Sequence, residues 1–271
     1  MTSFELDFRS FPDADGCIAY ALVPWDSEEF GFPVYELRIA EPSSFTTDVV
    51  RSWLHQLDSA GGCLVSAKVD QQSVSTIRSL ASNGFYPVET VLEVEGELPT
   101  IGAVAITSAI PVRLRRATEA DMDAMTSIAA RAFWSDRFHL DPNLPSNAAD
   151  ERYVRWIRRA FQDQELLYAY ERTDERAVIG FYHVRVVSRG RVDLMLAAVD
   201  PALSGRGLGS ALYLSMMREC VGLGFTEART RIVARNLPVL NIFSRLRFRF
   251  VGATTTLHWC SPETAAVSQE V

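Results

Sequence analysis

The 271-residue chain has few of the features that define disulfide-rich, zinc-binding or membrane-spanning proteins. Its cysteines, Cys17, Cys63, Cys220 and Cys260, lie far apart, and the absence of a Cys-x-x-Cys pair argues against a disulfide framework and a zinc site. No apolar run approaches the ~18 to 20 residues that a membrane helix needs. The first ten residues lack the basic and apolar segments of a signal peptide. The sequence therefore predicts a cytoplasmic protein with no metal site and no membrane partner.

Charge is shared unevenly along a chain that is long enough for two domains. The formal net charge is −7, but residues 1–108 hold 5 basic and 16 acidic side chains, whereas the remaining residues hold 22 basic and 18 acidic ones. The acidic first half argues against nucleic-acid binding by the whole chain. The mildly basic second half suits an anionic cofactor, although a solvated surface of mixed charge would have the same composition.

Three glycines follow a predicted strand in the second half. The strand, residues 192–199, is apolar; Gly205, Gly207 and Gly209 come after it, and apolar residues then recur at a helical period. Glycine removes the side chains that keep a ligand away from the backbone, and the amides at the start of a helix attract phosphate. The pattern predicts an anion-binding loop, with a simple tight connection as the alternative.

The spacing excludes two familiar phosphate loops. A P-loop has Gly-Lys-Ser/Thr after its glycines, and no Lys follows here. A dinucleotide-binding fingerprint has G-x-G-x-x-G, whereas residues 205–209 read G-x-G-x-G. The stretch resembles motif A of the GNAT superfamily of acyl-CoA-dependent N-acetyltransferases, where Gln/Arg-x-x-Gly-x-Gly/Ala binds the coenzyme A pyrophosphate. Gly207 and Gly209 match the two small positions, and Ser204 stands where the family has Gln or Arg.

The order of predicted elements in the second half resembles that of a whole GNAT domain. Between residues 112 and 258 the patterns predict β-α-α-β-β-β-α-β-α-β, with Thr118 as the N-cap of the first helix. In the first half, LVSAKVD, SVSTIRSLASNGF and VETVLEVE repeat the strand–helix–strand pattern of RTRIVAR, NLPVLNIFSRLRF and VGATTTLHW, without a motif A loop. Chance similarity between two such units is the alternative interpretation.

These patterns predict the fold class. We expect an α/β protein in which a GNAT fold, with a central mixed, mostly antiparallel sheet flanked by helices, follows a smaller, truncated GNAT-like α/β lobe. Residues 96–111 are rich in Gly, Pro and Ala and separate the two. The predicted domains are therefore residues 1–105 and 112–260, with a polar tail over residues 261–271.

A narrower resemblance covers both halves. Residues 25–32 (WDSEEFGF) resemble a W-D-S-x-F-F-G-like segment near the start of TDP-fucosamine N-acetyltransferases. Residues 116–121, and residues 135–139 with Asp141-Pro142, look like further segments of that family, as does Tyr153 with Trp156-Ile157. The resemblance implies that the acceptor is the amino group of a nucleotide-linked deoxyamino sugar. Another small amine is the alternative acceptor, and a non-catalytic acyl-CoA-binding protein is the alternative class.

The GNAT resemblance also implies direct attack of the amine on the thioester of acetyl-CoA in a ternary complex. In the family, pantetheine pairs with the edge of the motif A strand, where an amide can stabilise the oxyanion. Arg206 would add a positive charge to the loop, unless it is an ordinary solvated arginine. The residues implied in binding the cofactor are Leu196, Ala197, Ala198, Val199, Ser204, Gly205, Arg206, Gly207, Leu208, Gly209, Ser210, Asn236 and Phe243.

Two side chains are candidates for accepting the proton of the amine. Asp193 lies on the motif A strand, where several GNAT enzymes have a glutamate base; a solvent-facing strand residue is the alternative. His183, on the preceding strand, is the second candidate, although a lone His on a strand is more often structural. Seven residues after Asn236 the family usually has a Tyr that gives a proton to the leaving thiolate. This chain has Phe243 there, with Arg247 in place of the usual Gly.

The acceptor is expected to meet the Pro-rich segment between two predicted helices, residues 134–150. It carries Arg137, His139 and Asp141. A guanidinium group suits a diphosphate, whereas His and Asp side chains suit sugar hydroxyls. Each of the three is otherwise an ordinary loop residue. A homodimer is expected only because it is the commonest oligomer.

Overall fold

The computed structural model describes residues 6–11, 18–39, 47–58, 61–102, 110–262 and 264. Cys17, part of the predicted domain boundary and nearly all of the predicted tail therefore lie outside the described residues. None of the helices in these ranges is both long enough and apolar enough to cross a membrane.

Helices alternate with strands along most of the described chain. The strands are β1 (Arg9–Ser10), β2 (Ile18–Leu22), β3 (Val34–Ile39), β4 (Leu64–Asp70), β5 (Tyr86–Glu97), β6 (Val112–Arg116), β7 (Leu166–Arg172), β8 (Ala177–Ser188), β9 (Arg191–Val199), β10 (Glu227–Val233) and β11 (Arg249–Cys260). The helices are α1 (Pro24–Phe30), α2 (Thr47–Asp58), α3 (Val74–Ala81), α4 (Leu98–Gly102), α5 (Met122–Ala132), α6 (Ser146–Gln162), α7 (Leu208–Gly222) and α8 (Leu237–Arg245).

Every element predicted between residues 112 and 258 is present. The helix after the Pro-rich segment, α6, begins at Ser146, inside the segment 134–150 that was expected to be a loop. The predicted cap before α5 is confirmed: the backbone nitrogen and the hydroxyl of Thr118 each donate to Asp121 Oδ2 at 2.8 Å. Arg115 donates two further hydrogen bonds to this carboxylate, and these hold the pKa of Asp121 at about 2. The cap therefore ties the start of α5 to β6.

The chain divides into two compact units, and neither is continuous in sequence. Unit 1 comprises residues 1–91, 135–149 and 253–271, and unit 2 comprises residues 92–134 and 150–252. The predicted domains, by contrast, are continuous stretches. The groupings differ because the loop before α6 and most of β11 pack with the first part of the chain.

Unit 1 is a sheet that carries helices. Its strand order is β1-β2-β3-β4-β11, with β3 and β4 parallel and the other pairs antiparallel. Trp53 of α2 and Leu80 of α3 pack against one face of the sheet. Phe30, Phe138 and Leu144 form a separate apolar cluster with Leu64 of β4. Both faces are therefore covered by apolar side chains.

Unit 2 contains the sheet expected of a GNAT domain. Its strand order is β5-β10-β9-β8-β7-β6, with β9 and β10 parallel and the pairs from β6 to β9 antiparallel. Leu208, Leu212 and Phe243 of α7 and α8 are buried in one cluster. Met125 of α5 and Ile157 of α6 are buried in another. The predicted mixed, mostly antiparallel sheet flanked by helices is confirmed.

Candidate active site

The parallel ladder between β9 and β10 is short. Its residue pairs are Arg191–Glu227, Val192–Ala228 and Asp193–Arg229. Directly after the last pair, the Thr230 hydroxyl donates to the Leu194 carbonyl oxygen at 2.7 Å, so that a side chain takes the place of a backbone donor. From there to Val199, the residues of β9 pair with β8 alone within the described chain. The other edge of this segment faces the gap between two separating strands.

A β-bulge lies in the same segment. His183 is opposite Leu196 and Val184 is opposite Leu194, which leaves Met195 as the extra residue of β9. A bulge turns the local backbone groups, and bulges are common beside active sites. The segment predicted to pair with pantetheine, residues 196–199, begins directly after the bulge. An exposed strand edge suits an extended ligand, but the pairing itself stays a prediction.

The glycine loop follows β9. Gly205 and Gly207 have φ of 79° and 73°, a left-handed conformation that favours glycine, and a Cβ on either would meet no atom within 4 Å. Gly207 is the N-cap residue of α7 and provides no side-chain acceptor for the first amides of the helix. An uncapped helix start therefore faces open space, an arrangement that favours an anion.

The loop fits the pyrophosphate of coenzyme A. Leu208 is buried and anchors the helix, whereas Ser204 and Arg206 are exposed. The amides of residues 208–210 would hold the anion, with Arg206 as a nearby cation; these roles stay predictions. When bound, acetyl-CoA supplies an activated acetyl group. No three His, Cys, Asp or Glu side chains of the described residues are grouped as ligands of a metal ion.

Asn236 and Phe243 lie on the next helix, α8. Asn236 is the N-cap residue, and its side chain accepts a hydrogen bond from the Val239 amide at 3.3 Å, so that the predicted cap is confirmed. Phe243 is 1% exposed and packs edge-on against Tyr213 and Phe248, with ring centroids 5.2 and 4.7 Å away. Its ring belongs to the core, and its contact with the cofactor stays a prediction.

Asp193 lies at the last residue pair of the β9–β10 ladder. Its side chain is 23% exposed, and Oδ1 is 3.3 Å from Arg229 Nε. On the other side, Asp193 is paired with Arg185 of β8. The carboxylate thus lies beside the point where the strands separate and remains open to solvent. This position suits a group that accepts a proton from an amine, which stays its predicted role.

His183 belongs to a buried network. Its Nδ1 accepts a hydrogen bond from Trp156 Nε1 at 3.1 Å, and its Nε2 contacts the Glu165 carboxylate. Burial lowers the pKa of His183, and the hydrogen bond with Glu165 opposes that shift. Because both ring nitrogens are engaged, the arrangement favours the structural alternative. The predicted catalytic role of His183 remains a prediction.

Sequence reasoning missed Glu165, which connects His183 to Arg185. Arg185 Nε donates to the Glu165 carboxylate at 2.8 Å. Burial would raise the pKa of Glu165, but the hydrogen bonds from His183 and Arg185 outweigh it and hold the pKa at about 2. Glu165 lies one residue before β7 and belongs to no motif, so only its tertiary neighbours identify it. The network therefore includes Arg185, the residue that is paired with Asp193 in the β8–β9 ladder.

The three residues predicted to recognise the acceptor lie in unit 1. Asp141 Oδ2 lies 2.7 Å from His258 Nδ1 and accepts a hydrogen bond from the Tyr86 hydroxyl at 3.0 Å. Arg137 donates to the Glu89 carboxylate at 3.1 Å. His139 Nδ1 lies 3.1 Å from Asp136 Oδ1. Asp141 and Glu89 are buried. These contacts hold residues 135–149 within unit 1, which is a structural role. Acceptor recognition by Arg137, His139 and Asp141 stays a prediction.

The strand, glycine loop, helix and separating parallel strands of unit 2 together define the GNAT fold. The family model described as an acetyltransferase (GNAT) domain matches residues 105–229. This span includes β6 to β9, the glycine loop and α7. The match covers a little under half of the chain and, together with the strand order, assigns the GNAT fold to this region.

A curated relative has a more specific name. Over 128 residues, the chain is 26% identical to the mycothiol acetyltransferase of Actinosynnema mirum, a match that covers 47% of this chain and 41% of the relative. The match thus spans less than half the length of that protein.

Two solved structures resemble the chain over most of its length. One is a GCN5-related N-acetyltransferase from Sphaerobacter thermophilus, with a TM-score of 0.65, 15% identity, and coverage of 93% of this chain and 79% of that chain. The other is a tandem GNAT protein from the clavulanic acid biosynthesis pathway, with a TM-score of 0.59, 13% identity, and coverage of 93% and 85%. These likenesses establish the fold, and the tandem protein agrees with the two-lobe prediction.

Proposed function

We propose that unit 2 transfers an acetyl group from acetyl-CoA to an amine. The observation that carries the proposal is the end of the β9–β10 ladder at Asp193 and Arg229, with Asp193 on the strand that leads into the glycine loop. A ligand paired with the free edge of β9 would run between the loop and Asp193, because these features flank the same strand segment. That segment is residues 194–199.

The groups of the chain would have separate tasks. The amides at the start of α7 bind the diphosphate, and the edge of β9 orients the extended arm of the donor. A backbone amide of residues 196–199 polarises the carbonyl oxygen, because the bulge at Met195 turns the groups that follow it. Asp193 accepts the proton of the amine as the nitrogen bonds to the carbonyl carbon.

We further propose that the acceptor amine belongs to a nucleotide-linked deoxyamino sugar. The resemblance of residues 25–32, and of residues 135–139 with Asp141-Pro142, to segments of TDP-fucosamine N-acetyltransferases supports this acceptor. A second candidate is the acceptor used by mycothiol acetyltransferases, which the name of the curated relative favours. The two candidates require different acceptors in the same assay.

Calorimetry with acetyl-CoA, followed by an assay of thiol release, tests the proposal. The acceptor panel contains TDP- and UDP-linked amino sugars, the acceptor of a mycothiol acetyltransferase, and simple amines. Saturable binding together with release by one acceptor class would support acetyl transfer and identify that class. Binding without release by any acceptor would favour a non-catalytic acyl-CoA-binding protein, and a lack of binding would reject both.

A further inference from the structure

We propose that unit 1 binds a small, neutral molecule that carries several hydroxyl groups, such as a polyol or a sugar. Its site consists of Ser66, Thr256 and His258 on the strands β4 and β11, and we call it the β4–β11 site. Ser66 Oγ, Thr256 Oγ1 and His258 Nε2 are buried, and none has a hydrogen-bond partner among the residues that the structure describes. The proposal goes beyond acetyl transfer and does not depend on it.

The strand register places the three side chains together. Ser66 is opposite His258 in the antiparallel β4–β11 ladder. Directly opposite residues point to the same face of a sheet, with Cβ atoms about 5 Å apart. Thr256 lies two positions before His258, so its side chain points to that face as well, about 7 Å along the strand. A ligand that reaches all three groups therefore needs hydroxyls on more than two carbon atoms.

The face of the sheet follows from the alternation of side chains along the strands. Val65 and Leu257 pack in the apolar cluster with α2 and α3. Successive residues of a strand point to opposite faces, so Ser66 and His258 point away from these helices. There the ring of Phe138, from the loop before α6, lies with its centroid 6.0 Å from that of His258. The β4–β11 site is therefore on the face that this loop covers.

The burial of the three polar atoms is what points to a ligand. Ser66, Thr256 and His258 are 5%, 1% and 0% exposed. Most buried polar atoms of folded proteins have a hydrogen-bond partner, because a desolvated donor or acceptor without one costs free energy. A bound molecule whose groups match these three atoms removes that cost.

The loop before α6 provides a route of entry. Side chains hold it within unit 1, among them the Arg137–Glu89 ion pair at 3.1 Å and the Asp141–His258 contact at 2.7 Å. A loop held in this way opens locally at a lower cost than a strand inside a sheet does. A small molecule therefore reaches the site without unfolding the sheet.

The protonation of His258 defines what the ligand must offer. Burial lowers the pKa of His258, although the hydrogen bond with Asp141 opposes that shift, so the ring is neutral at pH 7. Burial raises the pKa of Asp141, but hydrogen bonds, first that of His258, outweigh it and keep the carboxyl ionised. Nδ1 then carries the proton and Nε2 is an acceptor, whereas the Ser66 and Thr256 hydroxyls both donate and accept. Alcohol hydroxyls match all three groups.

The charges beside the site favour a neutral ligand. Glu36, which is opposite Ser66 in the β3–β4 ladder, accepts from Lys68 Nζ at 2.7 Å. The Glu89 carboxylate is likewise paired with Arg137. Because these carboxylates and cations already compensate each other, a charged ligand would lose its hydration without gaining a partner of opposite charge.

The first test measures binding to the whole chain without acetyl-CoA. D-Glucose and myo-inositol are the neutral probes, and D-glucuronate is the charged comparison. Calorimetry should show saturable binding of at least one neutral probe and weaker binding of D-glucuronate. The ¹⁵N resonance of His258 Nε2, identified by its loss in His258→Gln, should shift as the neutral probe binds, because a ligand hydroxyl then donates to that nitrogen.

The second test removes single hydroxyls. Ser66→Ala and Thr256→Val should each weaken binding of the neutral probe by about 2- to 10-fold, the effect of one hydrogen bond. Neither should lower the melting temperature, since each removes a polar atom that has no partner in the described chain. Thr255→Val is the matched control: it makes the same change at the neighbouring position of β11, whose side chain points to the other face, and should leave the Kd unchanged.

TDP-glucose distinguishes a free ligand from the sugar part of a nucleotide-linked molecule. A shift of the His258 resonance with TDP-glucose, but not with free sugars, would support the site and assign it to the nucleotide-linked sugar. Binding that both hydroxyl variants retain within about 1.5-fold would overturn the proposal, because the probe then binds elsewhere. The absence of saturable binding with every probe would also overturn it and leave water as the partner of these atoms. None of these outcomes depends on whether unit 2 transfers an acetyl group.

Discussion

Two strand–helix–strand regions, around α3 in unit 1 and α8 in unit 2, share backbone features at both ends of the helix. The residue before α3, Ser73, has φ −80° and ψ 58°, and the residue before α8, Asn236, has φ −80° and ψ 64°. Twelve positions later each region has a buried phenylalanine, Phe85 or Phe248. The weak sequence echo between the halves therefore corresponds to a shared backbone geometry.

The two helices also end in the same way. The Phe85 amide donates to the Leu80 carbonyl oxygen at 3.2 Å, and the Phe248 amide donates to the Phe243 carbonyl oxygen at 3.1 Å. Each of these bonds joins residues five positions apart and closes a Schellman turn, which needs a left-handed residue before the phenylalanine. That residue is glycine in unit 1 and arginine in unit 2, so the backbone is retained although the residue type is not.

The units differ in what precedes this shared region. Both have a parallel strand pair, β3–β4 and β9–β10. Between β9 and α7 the chain has Gly205 and Gly207 in a left-handed conformation, whereas residues 40–46, between β3 and α2, contain no glycine. The glycine loop, which favours anion binding, is therefore a feature of unit 2 that the corresponding segment of unit 1 does not have in its sequence.

The largest expected effect concerns the carboxylate at the end of the β9–β10 ladder. Asp193→Asn should lower kcat by about 10²- to 10⁴-fold, because the amide cannot accept the proton, while the Kd for acetyl-CoA stays nearly constant. Asp174→Asn, which removes another arginine-paired carboxylate of unit 2, is the control. Steady-state kinetics with the identified acceptor would measure both. An equal loss in the two variants would contradict a special role for Asp193.

A smaller effect is expected at the glycine loop. Gly207→Val should weaken acetyl-CoA binding by roughly tenfold or more, because a side chain at φ 73° strains the loop and covers the helix amides. Gly224→Val, after the other end of α7, introduces the same residue at φ 87° in equally open space. Calorimetry should show weaker binding only in the first variant, and similar losses of stability, about 1 to 2 kcal/mol, in both. Weaker binding in both variants would mean that strain at either end of α7 weakens acetyl-CoA binding, and would contradict a specific role for Gly207.

Lowering the pH should reduce the stability of the folded protein through the network of Glu165, His183 and Arg185. The folded-state pKa of Glu165, about 2, is below the ordinary value of 4.5, so its contribution to stability is complete above pH 4.5 and is lost as pH falls towards 2. The lowered pKa of His183 acts in the same direction, because the unfolded chain takes up the proton first. Denaturation measured from pH 7 to pH 3 should show a flatter decline for Glu165→Gln than for the wild type. Glu175→Gln, an exposed carboxylate, should decline like the wild type.

The smallest effect tests the shared helix end. Arg247→Gly should raise the free energy of unfolding by about 1 kcal/mol, because Arg247 has φ 62° and glycine adopts that conformation without steric cost. The reverse change in unit 1, Gly84→Ala, should lower it by a similar amount. Thermal denaturation of both variants provides the measurement, and a loss of stability in Arg247→Gly would show that the arginine side chain has contacts that offset its strain.

Local patterns in the sequence predicted most of unit 2 and the glycine loop. Helical and strand periods, the caps at Thr118 and Asn236, and the glycines after β9 act over a few neighbouring residues, so each is readable without the fold. The predicted order of elements is confirmed for the same reason. Asp193 could be proposed because it lies on the strand that precedes this loop.

Only the tertiary structure could show which distant residues share a site. Glu165 meets His183 and Arg185 because β7 and β8 are adjacent, and the ring of Tyr213 meets that of Tyr182 because α7 packs on β8. The division into units likewise depends on residues 135–149 and on β11, which pairs with β4. Sequence by itself determined the elements and the anion loop through short-range sterics and periodicity. Packing and strand pairing between distant segments decided which side chains are buried, paired or left free to meet a ligand.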